Sequence, residues 1–347
     1  MTGHIAIALD AMGGDRAPEM VVKGANMARQ RFPQVRFLFF GDERRVKPLV
    51  ERYRALAKVS TIRHTDQVVK GEDKPSIALR TGRNSSMRLA IDAVHQGEAA
   101  GVVSAGNTGA LMAMAKVVLK TLPGISRPAI ASFFPTLKGE SVMLDLGANV
   151  ECDADNLVQF AVMGNVFART VLGVVSPSIG LLNVGSEDVK GHEALREASA
   201  MLRELVLPGT FHGFVEGDDI AKGTVDVVVT DGFTGNIALK SIEGTAKLYA
   251  EFLRATFKSS ILSKLGYLLA RPALNALRLR TDPRRYNGAI FLGLNGIVVK
   301  SHGGTDALGF ANAVGVAVDM IMHKALSRIT EDFGNIAAVA HPQAAQL

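Results

Sequence analysis

The residues of this sequence that could do chemistry lie in five polar loops, each of which follows a short apolar run. The loops read AGNTGA after residues 100–104, GANVECDAD after 142–146, GSEDVKG after 179–184, DGFTGN after 225–230 and SHGGTDALG after 297–300. Their Lys, Asn, Thr and His side chains donate hydrogen bonds, and their glycines leave backbone N–H groups accessible. Groups of this kind bind anions and stabilise negative charge that develops during a reaction.

A further loop, DAMGGDRAP at residues 10–18, follows the first apolar run of the chain. Gly13 and Gly14 are adjacent and flanked by Asp10 and Asp15. A dinucleotide-binding loop instead has the spacing G-x-G-x-x-G, with an acidic residue about 20 positions later. Because carboxylates repel phosphate, we expect the two aspartates to orient Lys190 or to cap the following helix. The loop would then form the floor of a crevice, and its glycines would allow a substrate to approach closely.

Composition excludes several classes of function. The chain has 347 residues, no Trp and four Tyr, which argues against stacking on single-stranded nucleic acid. Cys152 is the one cysteine, so neither an internal disulfide framework nor a multi-cysteine zinc site can form. The His and Asp residues show no zinc or calcium spacing, and we expect no metal and no cofactor. The formal net charge of +6 favours acidic partners without identifying them.

Strands that alternate with helices must position these loops. The recurring order of apolar run, polar loop and helix-period segment predicts an α/β fold with a mostly parallel sheet. Since the carboxyl ends of parallel strands meet at one edge of a sheet, we expect the five loops to face one crevice. The predicted organisation is a single domain over residues 1–335 with a flexible tail over 336–347. We expect a cytoplasmic protein, because neither a signal peptide nor a membrane-spanning segment is recognisable.

Residues 250–285 break this pattern and predict an amphipathic helical protrusion. No acidic residue occurs from 252 to 281, and Lys264, Arg271 and Arg278 recur every seven residues on one helix face. Pro272 should kink or divide the helix. One interpretation is a surface helix packed on the protein's own core, and the other is a helix that lies on an anionic membrane. The predicted membrane-binding residues are Lys264, Leu265, Leu268, Leu269, Arg271 and Arg278.

Six segments together resemble the bacterial phosphate acyltransferase family, in the family's motif order and over residues 5–325. They read ALDAMGGDRAP, VVSAGNTGALMA, LDLGANVECDADNLVQFAVMG, LLNVGSEDVKGHE, DVVVTDGFTGNIALK and GLNGIVVKSHGGTD. The resemblance implies a three-layer α/β/α sandwich related to the phosphotransacetylase and isocitrate dehydrogenase-like folds. It implies transfer of a fatty acyl group from acyl carrier protein to inorganic phosphate, which gives acyl phosphate for phospholipid synthesis.

The resemblance also implies partners. These are a second copy in a homodimer, the inner face of an anionic membrane, with which the protein would associate peripherally, and a membrane glycerol-3-phosphate acyltransferase. No nucleic acid is among them.

The residues make chemical sense of that reaction without a Ser-His-Asp triad. A phosphate dianion is already nucleophilic at pH 7, and a thiol with a pKa of about 8.5 is a good leaving group, so the enzyme's task is mainly electrostatic. We predict Lys190, Asn236 and His302 as catalytic residues, with Lys190 supplying charge. Asn236 would donate to the carbonyl oxygen, and His302 would protonate the thiolate or bind phosphate. The predicted substrate-binding residues are Asp10, Gly13, Gly14, Ser104, Asn107, Thr108, Asn149, Asp231, Thr234 and Gly235.

Several of these residues have structural alternatives. The Asn and Thr side chains at positions 107, 108, 234 and 236 could cap helices, and His302 could be a hydrogen-bonded structural histidine. Cys152 could form an acyl-enzyme, but nothing in the sequence marks a reactive thiolate, so we expect a structural role. Two rival functions are a nicotinamide-dependent decarboxylating dehydrogenase of related fold and a catalytically silent scaffold on a lipid surface.

Overall fold

Eleven strands of the computed structural model, which describes residues 5–340, form one sheet. The strands are β1 (Ile5–Asp10), β2 (Val35–Gly41), β3 (Ser60–His64), β4 (Gly101–Ser104), β5 (Ala129–Thr136), β6 (Gly139–Leu144), β7 (Ser178–Leu182), β8 (Thr210–Val215), β9 (Val227–Val229), β10 (Ala289–Leu292) and β11 (Ile297–Lys300). The helices are α1 (Glu19–Arg31), α2 (Glu43–Glu51), α3 (Arg54–Ala57), α4 (Pro75–Thr81), α5 (Ser86–His95), α6 (Thr108–Leu119), α7 (Ala154–Phe167), α8 (Glu193–Glu204), α9 (Gly217–Lys222), α10 (Gly232–Lys258), α11 (Ile261–Arg280), α12 (Ala307–Met322) and α13 (Ala325–Ala340).

Helices cover both faces of the sheet. Ile7 and Leu9 of β1 pack into one hydrophobic cluster, and Ala8 between them packs into a second one. The first cluster includes buried residues of α1, α7 and α12, and the second includes those of α5 and α6. Strands buried on both sides explain why the sequence shows continuous apolar runs. The predicted three-layer α/β/α fold is confirmed.

The strands of the sheet run in two directions. Their order is β3-β2-β1-β4-β11-β10-β5-β6-β9-β7-β8, and the neighbours β11/β10, β10/β5 and β5/β6 are antiparallel. Three reversals leave β6, β9, β7 and β8 running opposite to β1, β2, β3, β4 and β11. The carboxyl ends of β1, β4 and β11 therefore lie at one edge, here called the first edge. Those of β6, β7 and β9 lie at the opposite, second edge.

The expectation that the five polar loops face one crevice is wrong for this reason. AGNTGA and SHGGTDALG lie at the first edge together with DAMGGDRAP, whereas the other three loops lie at the second edge. Two short connections between neighbouring strands contradict a uniformly parallel sheet. Two residues join β5 to β6 and four join β10 to β11, which is too few for a parallel crossover.

The helices α10 and α11 form a helical arm. α10 has 27 residues and is therefore about 40 Å long. Ala238 and Leu239 pack against the second hydrophobic cluster. On α11, however, Ile261, Leu265 and Leu269 are 80%, 55% and 85% exposed. The interpretation of this segment as a helix packed on the protein's own core is therefore wrong.

The helical arm turns at a pair of serines and not at Pro272. Ser260 caps α11 by accepting the backbone N–H of Ser263 at 3.0 Å, and α11 continues through Pro272 without a break. Pro272 therefore does not divide the helix, and the alternative that it kinks α11 stays a prediction. The helix tolerates the proline because the carbonyl that loses its partner, that of Leu268, lies on an exposed segment that water can reach.

The last described helix, α13, runs to Ala340, five residues into the segment predicted as a flexible tail (336–347). Residues 341–347 lie outside the described residues. No helix within residues 5–340 combines the length and the hydropathy that crossing a membrane requires.

Candidate functional site

A buried carboxylate organises the first edge. Asp10, the last residue of β1, is 1% exposed. Its Oδ1 accepts the Ser86 hydroxyl at 2.6 Å and the Met12 backbone N–H at 3.2 Å, and its Oδ2 accepts the Ser104 hydroxyl at 2.6 Å. Burial raises the pKa of Asp10 although these bonds oppose it. Asp10 and Ser104 thus tie β1, β4 and α5 together beneath the loops, which matches the floor expected of this segment.

Two loops meet above this floor. The Asp15 backbone N–H donates to the Gly303 carbonyl at 3.0 Å, which joins the loop after β1 to the loop after β11. A Cβ on Gly13 would lie 2.5 Å from Oδ2 of Asp10, so no larger residue fits there. Gly14 has φ +101°, a conformation that favours glycine. The glycines therefore let the two loops approach each other closely.

Lys300 and His302 lie where these loops meet. Burial lowers the pKa of Lys300 to about 8. The negative charges of Asp10 and Asp15 oppose this shift, and the positive charge of Lys240 adds to it. The Nδ1 of His302 accepts the Gly304 N–H at 3.1 Å, so a neutral ring carries its proton on Nε2. Burial, followed by the Lys300 ammonium, lowers the pKa of His302 below its usual range. His302 is therefore mostly neutral at pH 7 and donates a hydrogen bond from Nε2.

α10 brings further charge to the same place. It begins at the second edge, yet Lys240, Glu243 and Lys247 on it all lie within electrostatic range of His302. Lys240 forms an exposed ion pair with Glu243 at 2.9 Å. We call Asp10, Asp15, Lys240, Lys300 and His302 the first-edge cluster. Sequence reasoning missed Lys300 and Lys240, although a lysine that ends the apolar run IVVK is a signal that could have pointed to Lys300.

The predicted residues of the second edge lie close together, but their polar groups form hydrogen bonds within the loops. Asn236 Nδ2 donates to the Leu146 carbonyl at 3.1 Å. Asp145, fully buried, accepts N–H groups of residues 130, 147, 148 and 149 at 2.7–3.2 Å, together with the Asn149 side-chain amide. Asp231 caps α10 by accepting the Thr234 N–H at 2.9 Å. A Cβ on Gly235 would lie 1.9 Å from the Asp145 carbonyl oxygen, so this glycine permits close packing.

Asn107 joins two parts of the first edge. Its Oδ1 caps α6 by accepting the Ala110 N–H at 3.0 Å. Its Nδ2 donates to the carbonyls of Gly71 and Asp73, both at 2.8 Å, and so anchors the loop before α4. Thr108, the first residue of α6, is exposed beside it. The capping alternative thus describes the contacts of Asn107.

Lys190 lies far from the first-edge cluster. It is exposed, and its ammonium makes no hydrogen bond or ion pair with any residue in the described range 5–340. It follows β7 at the second edge. In the sheet β7 is five places from β11, which carries Lys300, and seven places from β1, which carries Asp10, so the separations are about 24 Å and about 34 Å. The expectation that Asp10 and Asp15 orient Lys190 is therefore wrong. Its catalytic role stays a prediction.

Cys152 has the environment of an unreactive thiol. Burial, reinforced by the negative charges of Asp145 and Asp231, raises the pKa of Cys152 to about 12. Its Sγ lies 3.9 Å from the Asn149 carbonyl oxygen. Among the described residues no group of three or more His, Cys, Asp and Glu side chains is placed to hold a metal ion.

The fold defines the class of protein. A phosphotransacetylase from Streptococcus pyogenes matches with a TM-score of 0.63 at 18% identity, over 92% of this chain and 94% of that one. The EutD phosphotransacetylase from Staphylococcus aureus matches with a TM-score of 0.58 at 19% identity, over the same shares. This chain therefore has the α/β fold of the phosphotransacetylases. A structure from Salmonella typhimurium named as a 4-hydroxythreonine-4-phosphate dehydrogenase shares the fold alone (TM-score 0.52, 12% identity, 91% of this chain and 99% of that one), so the dehydrogenase alternative gains no support.

The chain belongs to the fatty acid synthesis protein family, whose model matches residues 5–328. It is 70% identical over 338 residues to the phosphate acyltransferase of Rhodospirillum centenum, covering 97% of this chain and 95% of that protein. It is 63% identical over 336 residues to the phosphate acyltransferase of Paramagnetospirillum magneticum, covering 97% and 96%. The family resemblance seen in the sequence is confirmed, and the protein is an acyltransferase.

Proposed function

We propose that this protein transfers a fatty acyl group from the thioester of acyl carrier protein to inorganic phosphate and so supplies acyl phosphate for phospholipid synthesis. The observation that carries the proposal is the 70% identity, over nearly the whole chain, to a protein named phosphate acyltransferase. The fold shared with phosphotransacetylases supports it.

The reaction needs no covalent enzyme intermediate. A phosphate oxygen attacks the thioester carbon and forms a C–O bond, and the carbonyl oxygen carries the negative charge of the tetrahedral intermediate. When the C–S bond breaks, its electron pair leaves with sulfur, and the thiolate takes a proton from solvent. Neutral His302, which donates from Nε2, suits binding of the phosphate better than protonation of the thiolate.

A basic loop beside the first edge suits the acidic carrier protein. Lys70, Lys74, Arg80 and Arg83 are exposed, and none of them forms an ion pair with another residue of the described chain. We call residues 70–83, which include α4 and the acidic residues Glu72 and Asp73, the basic loop. Asn107 anchors it at the start of α6, next to the first-edge cluster. Unpaired cations at the border of a site accelerate the encounter with an acidic partner.

The helical arm supports a peripheral contact with the membrane. Leu265, Leu268 and Leu269 are 55%, 61% and 85% exposed, and Lys264, Arg271 and Arg278 beside them are exposed as well. Monomeric soluble proteins rarely expose so many contiguous apolar side chains. We infer that the protein forms a homodimer, as the family resemblance implies. We also infer that the arm lies on the inner, anionic face of the membrane, near a membrane glycerol-3-phosphate acyltransferase that would consume the product.

Thiol release tests the function and the order of its steps. Purified protein given acyl carrier protein thioester should release free thiol when phosphate is added, with an equal amount of acyl phosphate trapped by hydroxylamine. Cys152→Ala should keep full activity, because a thiol with a pKa of about 12 is not a nucleophile at neutral pH. A stoichiometric burst of thiol without phosphate, lost in Cys152→Ala, would contradict direct attack. Absence of a phosphate-dependent acyl product would contradict the proposed function.

A further inference from the structure

The Lys300 side chain is partly buried, and its charge has no ion-pair partner among the described residues. Its ammonium donates to the Ser301 carbonyl, and within residues 5–340 it forms no ion pair with a carboxylate. Asp10, which lies within electrostatic range, already accepts two hydroxyls and one backbone N–H. A partly buried ammonium with one neutral acceptor is costly unless an anion completes its surroundings.

The groups around Lys300 are suited to such an anion. Lys240 brings a second cation from α10, and the Nε2–H of neutral His302 supplies a donor. Gly13, Gly14, Gly303 and Gly304 present no side chains on the two loops. Lys240 is exposed and forms an ion pair with Glu243, and the two lysines raise the local positive charge that an oxyanion would meet.

We propose that the Lys300 ammonium binds the inorganic phosphate substrate at the first edge, with Lys240 as the second cation. The assignment rests on the proposed function for the identity of the substrate. It places phosphate next to His302 and five strand spacings, about 24 Å, along the sheet from the strand that precedes Lys190. Phosphate then lies beside the basic loop, where we infer that the carrier docks.

Phosphate binding can be measured without catalysis. Phosphate should raise the Tm of the wild-type protein above its value in sodium chloride of equal ionic strength, because a ligand that binds the folded state stabilises it. Lys300→Met should lose this shift, Lys300→Arg should retain part of it, and Lys240→Met should reduce it. Lys116→Met is the matched control, because Lys116 is exposed on the last turn of α6 and without an ion pair in the described chain. An equal shift in wild type and Lys300→Met, or no shift in wild type, would overturn the assignment.

The same variants separate binding from a structural role. Without phosphate, Lys300→Met should have a Tm equal to or above the wild-type value, since the partly buried charge destabilises the folded state. A lower Tm would indicate that Lys300 supports the fold instead. In the thiol-release assay Lys300→Met should raise the KM for phosphate at least tenfold and leave the KM for the acyl carrier within twofold. A phosphate-dependent Tm shift without acyl transfer would contradict the proposed function alone.

The pH dependence gives a further check. The pKa of Lys300 near 8 reflects burial, the charges of Asp10 and Asp15 from the β1 loop, and Lys240 from α10; His302 on its own loop titrates at lower pH. The ammonium loses its proton above pH 8, so the KM for phosphate should rise there in the wild type. Lys300→Arg should show no such rise, because a guanidinium stays protonated. An identical rise in Lys300→Arg would overturn the assignment.

Discussion

Hydrogen-bond partners separate the polar residues of the loops into two groups. The amides of Asn107, Asn149 and Asn236 are bound to backbone carbonyls, and they shape the loops in which they lie. His302 and Lys300 face the junction of two loops and keep N–H groups available. The sequence predicted the three asparagines and His302 as polar loop residues, but it did not single out Lys300, which ends β11. It could not assign their roles, because these depend on partners that are distant along the chain.

Asp10 offers a test of the floor beneath the site. The two carboxylate oxygens of Asp10 accept hydrogen bonds from the Ser86 and Ser104 hydroxyls and from the Met12 N–H. Asp10→Asn leaves only one acceptor oxygen for these three donors. We expect the free energy of unfolding to fall by about 1–3 kcal/mol, because a buried donor loses its partner. Urea unfolding measures the difference. Asp15→Asn is the control. Because Asp15 is exposed, this substitution should change the free energy of unfolding by no more than about 0.5 kcal/mol. Equal stability of the two variants would show that the Asp10 hydrogen bonds do not hold the floor together.

At the scale of elements, short segments connect the layers. Asn107 links α6 to the basic loop, and α10 links the second edge, where Asp231 caps it, to the first edge, where Lys240 lies. The sequence predicted α6 and α10 as helices that follow polar loops. The reach of α10 across the sheet depends on its length and direction, and these follow from tertiary packing.

The basic loop can be tested with matched charge reversals. Lys70→Glu with Lys74→Glu should raise the KM for acyl carrier protein at least tenfold at low salt, because the acidic partner is then repelled. The effect should shrink as ionic strength rises. Turnover of a short acyl-pantetheine thioester, which lacks the carrier, should stay within twofold.

Arg54→Glu with Lys58→Glu is the control for this experiment. Both residues are exposed on or next to α3, at another part of the surface. If this pair raised the KM for the carrier as much as the Lys70 and Lys74 pair, the effect would follow from net charge, and the basic loop would have no special role.

At the scale of the whole molecule, the exposed cations of the helical arm predict binding to anionic membranes. Changing Lys264, Arg271 and Arg278 to Glu should weaken binding to anionic vesicles by at least roughly 100-fold, since each cation near such a surface contributes about 1 kcal/mol and the new carboxylates are repelled by the lipid. Co-sedimentation with phosphatidylglycerol vesicles measures this, and activity on soluble substrates should stay nearly unchanged. Neutral phosphatidylcholine vesicles are the lipid control. Unchanged binding to anionic vesicles would show that these cations do not face the membrane.

The sheet shows how far sequence patterns reach. Apolar runs and polar loops predicted the α/β/α layers and most positions where chemistry-bearing residues occur. They did not predict strand direction, because the pattern of a buried strand is the same in either orientation. The antiparallel pairs β11/β10, β10/β5 and β5/β6 reverse half of the sheet, so loops with similar sequences lie at opposite edges.

The length of α10 sets the distance between the first-edge cluster and the tip of the helical arm. Lys240 lies within electrostatic range of Lys300, and α10 continues from it to Lys258, a span of about 27 Å at 1.5 Å per residue. An acyl phosphate is a mixed anhydride that water destroys, and its acyl chain is poorly soluble. A membrane surface bound at the tip of the arm would lie less than about 30 Å from the place where the acyl phosphate forms. This distance is the thickness of a bilayer's hydrocarbon core. With the arm bound to the membrane as proposed, delivery over so short a path would limit the exposure of the product to water.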